Sequence, residues 1–182
     1  MPEEIQMVWC DDNYGYISHF NTEEERNRKG GSGVYYHNSY WGRPHDYLWL
    51  TSTQPSLIYW QMMKAWKTGT RKLWILNVGD IKPGEYNMEF FLDMAWNIES
   101  IQADNIYQHL ESWLDREFGE ALAPELLPIV KEYYRLAAIR KPEFMGWTYV
   151  EEPKIRLTPV VDTEFNPYVF GDEIRNRIAY YQ

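Results

Sequence analysis

The chain has 182 residues, 45% hydrophobic and 25% charged, with a formal charge of −9. This is ordinary globular usage, which excludes intrinsic disorder because enough apolar surface is available to offset chain entropy. The acidic balance argues against a nucleic-acid partner or an anionic membrane surface, and no run of about 18 apolar residues is present to span a bilayer.

In chain order, Ile5–Cys10 (IQMVWC) reads as a buried strand that ends in the polar cluster Asp11-Asp12-Asn13. A charged loop and the turn Gly30-Gly31-Ser32-Gly33 lead to a second short strand, Val34–Tyr36, which ends at His37-Asn38-Ser39-Tyr40. Tyr47–Leu50 is apolar but too short to assign. Pro55-Ser56 opens a helix with Leu57, Ile58, Met62, Ala65 and Trp66 on its inner face, and Gly69 stops it. Lys72–Leu76 is a third buried strand, ending in Asn77-Val78-Gly79-Asp80, and a helix over about Asn87–Asn97 buries Phe91, Ala95 and Ile98.

After about Ser100 the pattern becomes helical. Asn105–Phe118 carries Ile106, Leu110, Trp113, Leu114 and Phe118 on one stripe, closed by Gly119. Pro124–Arg140 turns Leu127, Val130, Tyr134, Ala137 and Ala138 inward. Glu151–Phe165 is a Pro-interrupted connector, and Asp172–Tyr181 is a further helix that the chain leaves without a stop signal. Strands alternating with helices predict an α/β fold with a parallel sheet. A closed (β/α)₈ barrel needs eight strands, so the pattern reads as an excerpt. Residues 1–99 would be part of a barrel and residues 100–182 part of an α-helical bundle domain.

In such barrels the active site gathers at the C-terminal strand ends, so the clusters at Asp11–Asn13, His37–Tyr40 and Asn77–Asp80 are expected around one mouth. Neighbouring strand residues face opposite ways, so only one of Asp11 and Asp12 enters that mouth; the bland alternative is an acidic turn capping local amides. Asp11, His37, His45 and Asp46 match no tight metal motif, and no metal or cofactor is expected. Asn77 and Asp80 serve equally well as turn formers. Nine Trp, fifteen Tyr and seven Phe make 17% of the chain. Tyr36, Tyr40 and Trp41 are accordingly either core rings or platforms on which flat pyranose C–H faces stack. Cys10 alone excludes an internal disulfide but fixes no compartment.

The strings VWCDDNYGYI (Val8–Ile17), GGSGVYYHNSYWGRPHDYLWL (Gly30–Leu50), LWILNVGDIKPGE (Leu73–Glu85), FFLDMAWN (Phe90–Asn97) and AIRKPEFMGW (Ala138–Trp147) resemble glycoside hydrolase family 115. The resemblance runs over nearly the whole chain. It implies a xylan α-1,2-glucuronidase that removes glucuronic acid, or its 4-O-methyl ether, by inverting hydrolysis. It also implies the last part of the barrel and the start of the bundle. Within it Asp11 and Asn13 match an active-site Asp-x-Asn, with Asp11 as the catalytic acid or base, and Tyr40 matches a tyrosine of the glucuronate pocket. The family's other essential carboxylate lies some twenty residues before that motif, so the chain alone is expected to be inactive. His37, Tyr40, Arg43 and Lys82 are the local candidates for the substrate carboxylate, and Asn77 joins them as a substrate-binding residue. Implied partners are glucuronoxylan or its oligosaccharides, the missing N-terminal part of the parent and a possible second copy. The parent is expected to be periplasmic or extracellular. A non-catalytic carbohydrate-binding module and a metal-dependent hydrolase are the competing readings.

Overall fold

The structure, a computed structural model, describes residues 1–42, 47–139 and 141–144. Arg43, His45, Asp46, the connector expected at Glu151–Phe165 and the helix expected at Asp172–Tyr181 lie outside these residues. Strands β1 (Met7–Cys10), β2 (Ser32–His37) and β3 (Thr70–Asn77) form a parallel sheet in the order β1-β2-β3. Parallel neighbours need a crossover connection, and helix α2 (Pro55–Lys67) supplies it between β2 and β3. Between β1 and β2 there is only the single turn α1 (Glu23–Arg26), closed by a Thr22/Glu25 capping box.

Burial divides the strands. Central β2 has neighbours on both edges, and its Val34 and Tyr36 are fully buried. β1 and β3 pair on one side each among the described residues, and Val8 and Leu73 are exposed. The expectation that all three strands are buried is corrected for these two. β1 also starts at Met7 rather than Ile5, because ladder pairing begins at Met7↔Ser32. At Gly33 the backbones of β2 and β3 approach so closely that a Cβ would stand 2.4 Å from the Leu73 carbonyl oxygen. There the register jumps from Ser32↔Thr70 to Gly33↔Leu73.

Pro at the first turn of α2 fits a position whose amide has no helical partner. Its Ile58, Met62 and Ala65 are buried as expected, while Leu57 and Trp66 are half-buried. Helix α3 (Ile81–Trp96) begins earlier than expected, with a kink at Lys82 and Pro83, where the dihedrals leave the helical region. Its buried face is Tyr86, Phe90, Phe91 and Met94. Phe91 and Ile98 are buried as expected, whereas Ala95 is exposed and Met94 takes its place on the inner face. Helices α4 (Ile106–Phe118) and α5 (Ala123–Ile139) follow, with Ile106, Leu110, Leu114, Tyr134 and Ala137 buried. Phe118 and Ala138 are exposed instead. One apolar cluster runs from Val34 and Tyr36 through Ile58, Met62, Phe91 and Met94 to Leu110, Leu114 and Tyr134. Among the described residues no helix is long and apolar enough to cross a membrane.

Candidate functional site

Because the three strands are parallel, their C-terminal ends share one edge. Cys10 pairs with Tyr35 and His37 pairs with Asn77, which brings Asp11, His37 and Asn77 to that edge together. Asp11 follows β1 directly, and its amide still donates to the Tyr35 carbonyl at 3.3 Å. The Asp11 carboxylate is fully buried. Its Oδ2 accepts from the backbone amides of Gly15 and His37, each at 3.2 Å, and its Oδ1 faces His37 Nδ1 at 2.5 Å. A carboxylate there requires a proton on His37 Nδ1, and in the neutral ring Nε2 is then the acceptor.

Asp12 takes the other direction. Its Oδ1 accepts from the amides of Tyr14 at 2.9 Å and Tyr16 at 3.1 Å, an Asx turn on the exposed side of the loop. Asn13 sits at φ 71°, a left-handed conformation that asparagine tolerates better than most residues. Gly15 has φ 94°, and a Cβ on it would meet the Tyr36 hydroxyl at 2.8 Å. That hydroxyl donates to the Gly15 carbonyl at 2.8 Å. Burial, reinforced by Asp11 and Asp12, pushes the Tyr36 pKa well up, so Tyr36 stays a neutral donor. The loop is therefore tied down at both ends.

His37 is sandwiched edge-on between the Tyr35 ring, 5.0 Å away, and the Tyr40 ring, 5.5 Å away. Asn13, Tyr14, His37 and Tyr40 line a recess together with Asn38, Ser39, Thr53, Lys141 and Glu143. Its interior is about 10 Å³, room for no more than a water. Burial raises the Tyr14 pKa, with Asp12 and Tyr40 adding to the effect.

Asp11, Asn13, His37 and Tyr40 are thus brought together. Asn77 is beside them but not in the recess; its side-chain amide donates to the Tyr35 hydroxyl at 2.9 Å. Lys82 does not join them. Its side chain is 89% exposed and its ammonium lies 3.9 Å from Glu85, on the entry to α3. Arg43 lies outside the described residues. Tyr14, Thr53, Lys141 and Glu143 line the recess but were not among the sequence candidates. Lys141 and Glu143 follow α5, the first just before and the second within the 3-10 turn Pro142–Phe144. Lys141 donates to Thr53 across 88 positions of sequence, at 3.3 Å. The signal available for these two was only that they fall within the string AIRKPEFMGW.

A buried polar network holds this turn over the sheet. Asn87 on α3 is fully buried; its amide nitrogen shares two hydrogens among Asn38 Oδ1 at 3.0 Å, Thr51 Oγ1 at 3.1 Å and the Thr53 carbonyl at 2.7 Å. Its oxygen accepts from the Tyr134 hydroxyl of α5 at 2.9 Å, and Tyr133 donates to the Thr51 carbonyl at 2.6 Å. Burial keeps the Tyr134 hydroxyl protonated by pushing its pKa up. Ser52 donates to Glu143. Away from the mouth, Glu89, Asp93 and His109 place ligand atoms within 4.8 Å of one another. Arg116 already pairs with Glu89 there at 2.6 Å, and Asp93 with His109 at 2.9 Å.

An acid-bearing mouth at the ends of parallel strands, covered by a helical segment, fits a sugar-cleaving enzyme, and the comparisons place the chain among the glycosyl hydrolases. The family model for glycosyl hydrolase family 115 matches residues 1–144, and the chain belongs to that family. A solved structure described as a novel family GH115 4-O-methyl-α-glucuronidase, BtGH115A, with specificity for decorated arabinogalactans is 51% identical, with a TM-score of 0.83. The likeness covers 99% of this chain and 24% of that one, so the chain spans about a quarter of its relative's length. No curated protein matches the chain.

Proposed function

We propose that this chain is part of a larger α-glucuronidase that hydrolyses glucuronic acid or 4-O-methylglucuronic acid side groups from a plant polysaccharide. In this reading the sheet is the last part of a (β/α)₈ barrel, and α4 and α5 open a helical-bundle domain. The observation that carries it is the Asp11–His37 pair at the strand ends of a family 115 chain. Inverting hydrolysis uses one carboxyl group to protonate the leaving oxygen and another to activate water, about 6.5–9.5 Å apart. Asp11 is the carboxylate at the strand ends of this mouth, and it acts through His37. Each of its oxygens is taken by a donor of β2 or of its own loop, so a direct transfer by Asp11 would first have to break one of those bonds. His37 Nε2 and the Tyr40 hydroxyl edge of the mouth then meet the sugar.

The 182 residues alone are proposed to be inactive, because the remaining acid–base group is expected on a preceding strand. The test is incubation of the full-length protein that contains this chain, and of residues 1–182 alone, with glucuronoxylan and with glucuronidated arabinogalactan. Proton NMR should show the full-length protein releasing the β-anomer of the uronic acid first, as inversion from an α-linkage requires, and the short chain releasing none. First release of the α-anomer refutes inversion; absence of uronic acid from both substrates refutes the reading; release by the short chain shows that it holds both groups.

A further inference from the structure

We propose that Lys141 is a specificity-determining residue that binds the carboxylate of the sugar acid at the mouth. The inference deepens the reading above and rests on it.

A lysine ammonium has three hydrogens to place, and among the described residues Lys141 places one, on the Thr53 hydroxyl at 3.3 Å. No carboxylate stands within ion-pair distance of it there. Lys141 is half-buried, and an ammonium partly withdrawn from water without a close counter-ion carries a desolvation cost that a bound anion would offset. Burial pulls the Lys141 pKa below the usual lysine range, although Glu143, Asp12 and Asp11 act in the opposite direction. Desolvation therefore outweighs the acidic neighbours, and among the described residues no ion-pair partner accounts for the lysine's position.

Its position does suit a ligand. Lys141 lines the narrow recess beside His37 and Tyr40 and also a neighbouring groove of about 280 Å³, bordered by Tyr16, Gln54 and Trp60. It is thus the residue common to the mouth and to the adjoining space large enough for a sugar ring. The turn that carries it is held independently. Ser52 donates to one oxygen of Glu143, while the other oxygen is buried with no hydrogen-bond partner among the described residues. A cation and an acceptor, each short of partners, face the same recess. A sugar acid satisfies both, with its carboxylate on Lys141 and a hydroxyl donating to Glu143.

The experiment is calorimetric titration of the full-length protein with glucuronic acid and with glucuronamide, its neutral analogue of nearly the same shape. Wild type should bind the acid about 10–100-fold more tightly than the amide, the range expected of a hydrogen-bonded charge pair. Lys141→Met should close that gap while leaving the amide's affinity unchanged, and Lys141→Arg should keep most of it. Because Met removes an uncompensated charge, Lys141→Met should melt no lower than wild type. A gap that persists in Lys141→Met overturns the proposal, as does equal weakening of both ligands with a lowered melting temperature. Release of uronic acid from polysaccharide is scored separately. A gap that closes in a protein releasing none would support Lys141 and sink the hydrolase reading; release with an unchanged gap would do the reverse.

Discussion

Asp11→Asn in the full-length protein separates an acid that orients a histidine from an acid that transfers a proton itself. The substitution keeps shape but replaces one oxygen with an amide nitrogen. Asp11 Oδ2 carries both backbone bonds, so the asparagine oxygen should take that place and preserve the donors from Gly15 and His37. Its NH₂ then faces His37 Nδ1 across a 2.5 Å contact that can no longer accept a proton-bearing nitrogen. The ring must change tautomer, which converts Nε2 from acceptor to donor, or turn over, which moves Nε2 from its place. Losing one charge-assisted hydrogen bond while keeping the backbone pair should cost about 1–3 kcal/mol of stability. Losing the oriented base should cut kcat by about 10²–10⁴-fold, or about 3–5 kcal/mol of barrier. The decisive comparison adds His37→Gln and the double variant, with steady-state kinetics on aldouronic oligosaccharides and thermal melts as the folding control. Residues acting as one unit are non-additive, so the double variant should be no slower than the worse single one. Multiplicative losses would refute the reasoning and return Asp11 to a direct role.

Other outcomes follow from the same geometry. Asp12→Asn keeps a side-chain oxygen for the amides of Tyr14 and Tyr16, so kcat should stay within about twofold and stability within about 0.5 kcal/mol of wild type, measured by the same kinetics and melts. Asn87→Ala leaves Asn38, Thr51 and Tyr134 without their shared partner inside the protein and should cost about 3 kcal/mol or more in urea unfolding. A loss below about 1 kcal/mol would show that water replaces the amide.

Much of the local plan was legible because it depends on near neighbours along the chain. Helical spacing located α2, α4 and α5 to within a residue or two, and the apolar run before Asp11 located β1. The alternation of side chains on a strand separated Asp11 from Asp12, and the observed bonds divide them the same way, inward to His37 and outward to the loop amides. Where the pattern was weak it misled. Phe90, Phe91 and Met94 compete with Ala95 for the inner face of α3, and only packing against Tyr36 and Trp74 shows that the large rings win. Burial of whole strands was equally hidden, since VWC and KLWIL look as apolar as the central strand. Among the described residues β1 and β3 each pair on one edge only, and composition does not encode pairing.

By itself the sequence determined the order of strands and helices, the acid at the end of β1 and the histidine and tyrosine after β2. These follow from periodicity and from short-range backbone geometry. The tertiary structure alone decided that Asp11 spends its carboxylate on His37 and Gly15, that Lys82 stays in solvent and that Lys141 and Glu143 close the recess. Those outcomes rest on contacts between segments far apart in the chain, such as Lys141 on Thr53 and Glu143 on Ser52. The buried Asn87 network sets them by joining α3 and α5 to the loop after β2, because each of its polar groups must find a partner once water is excluded.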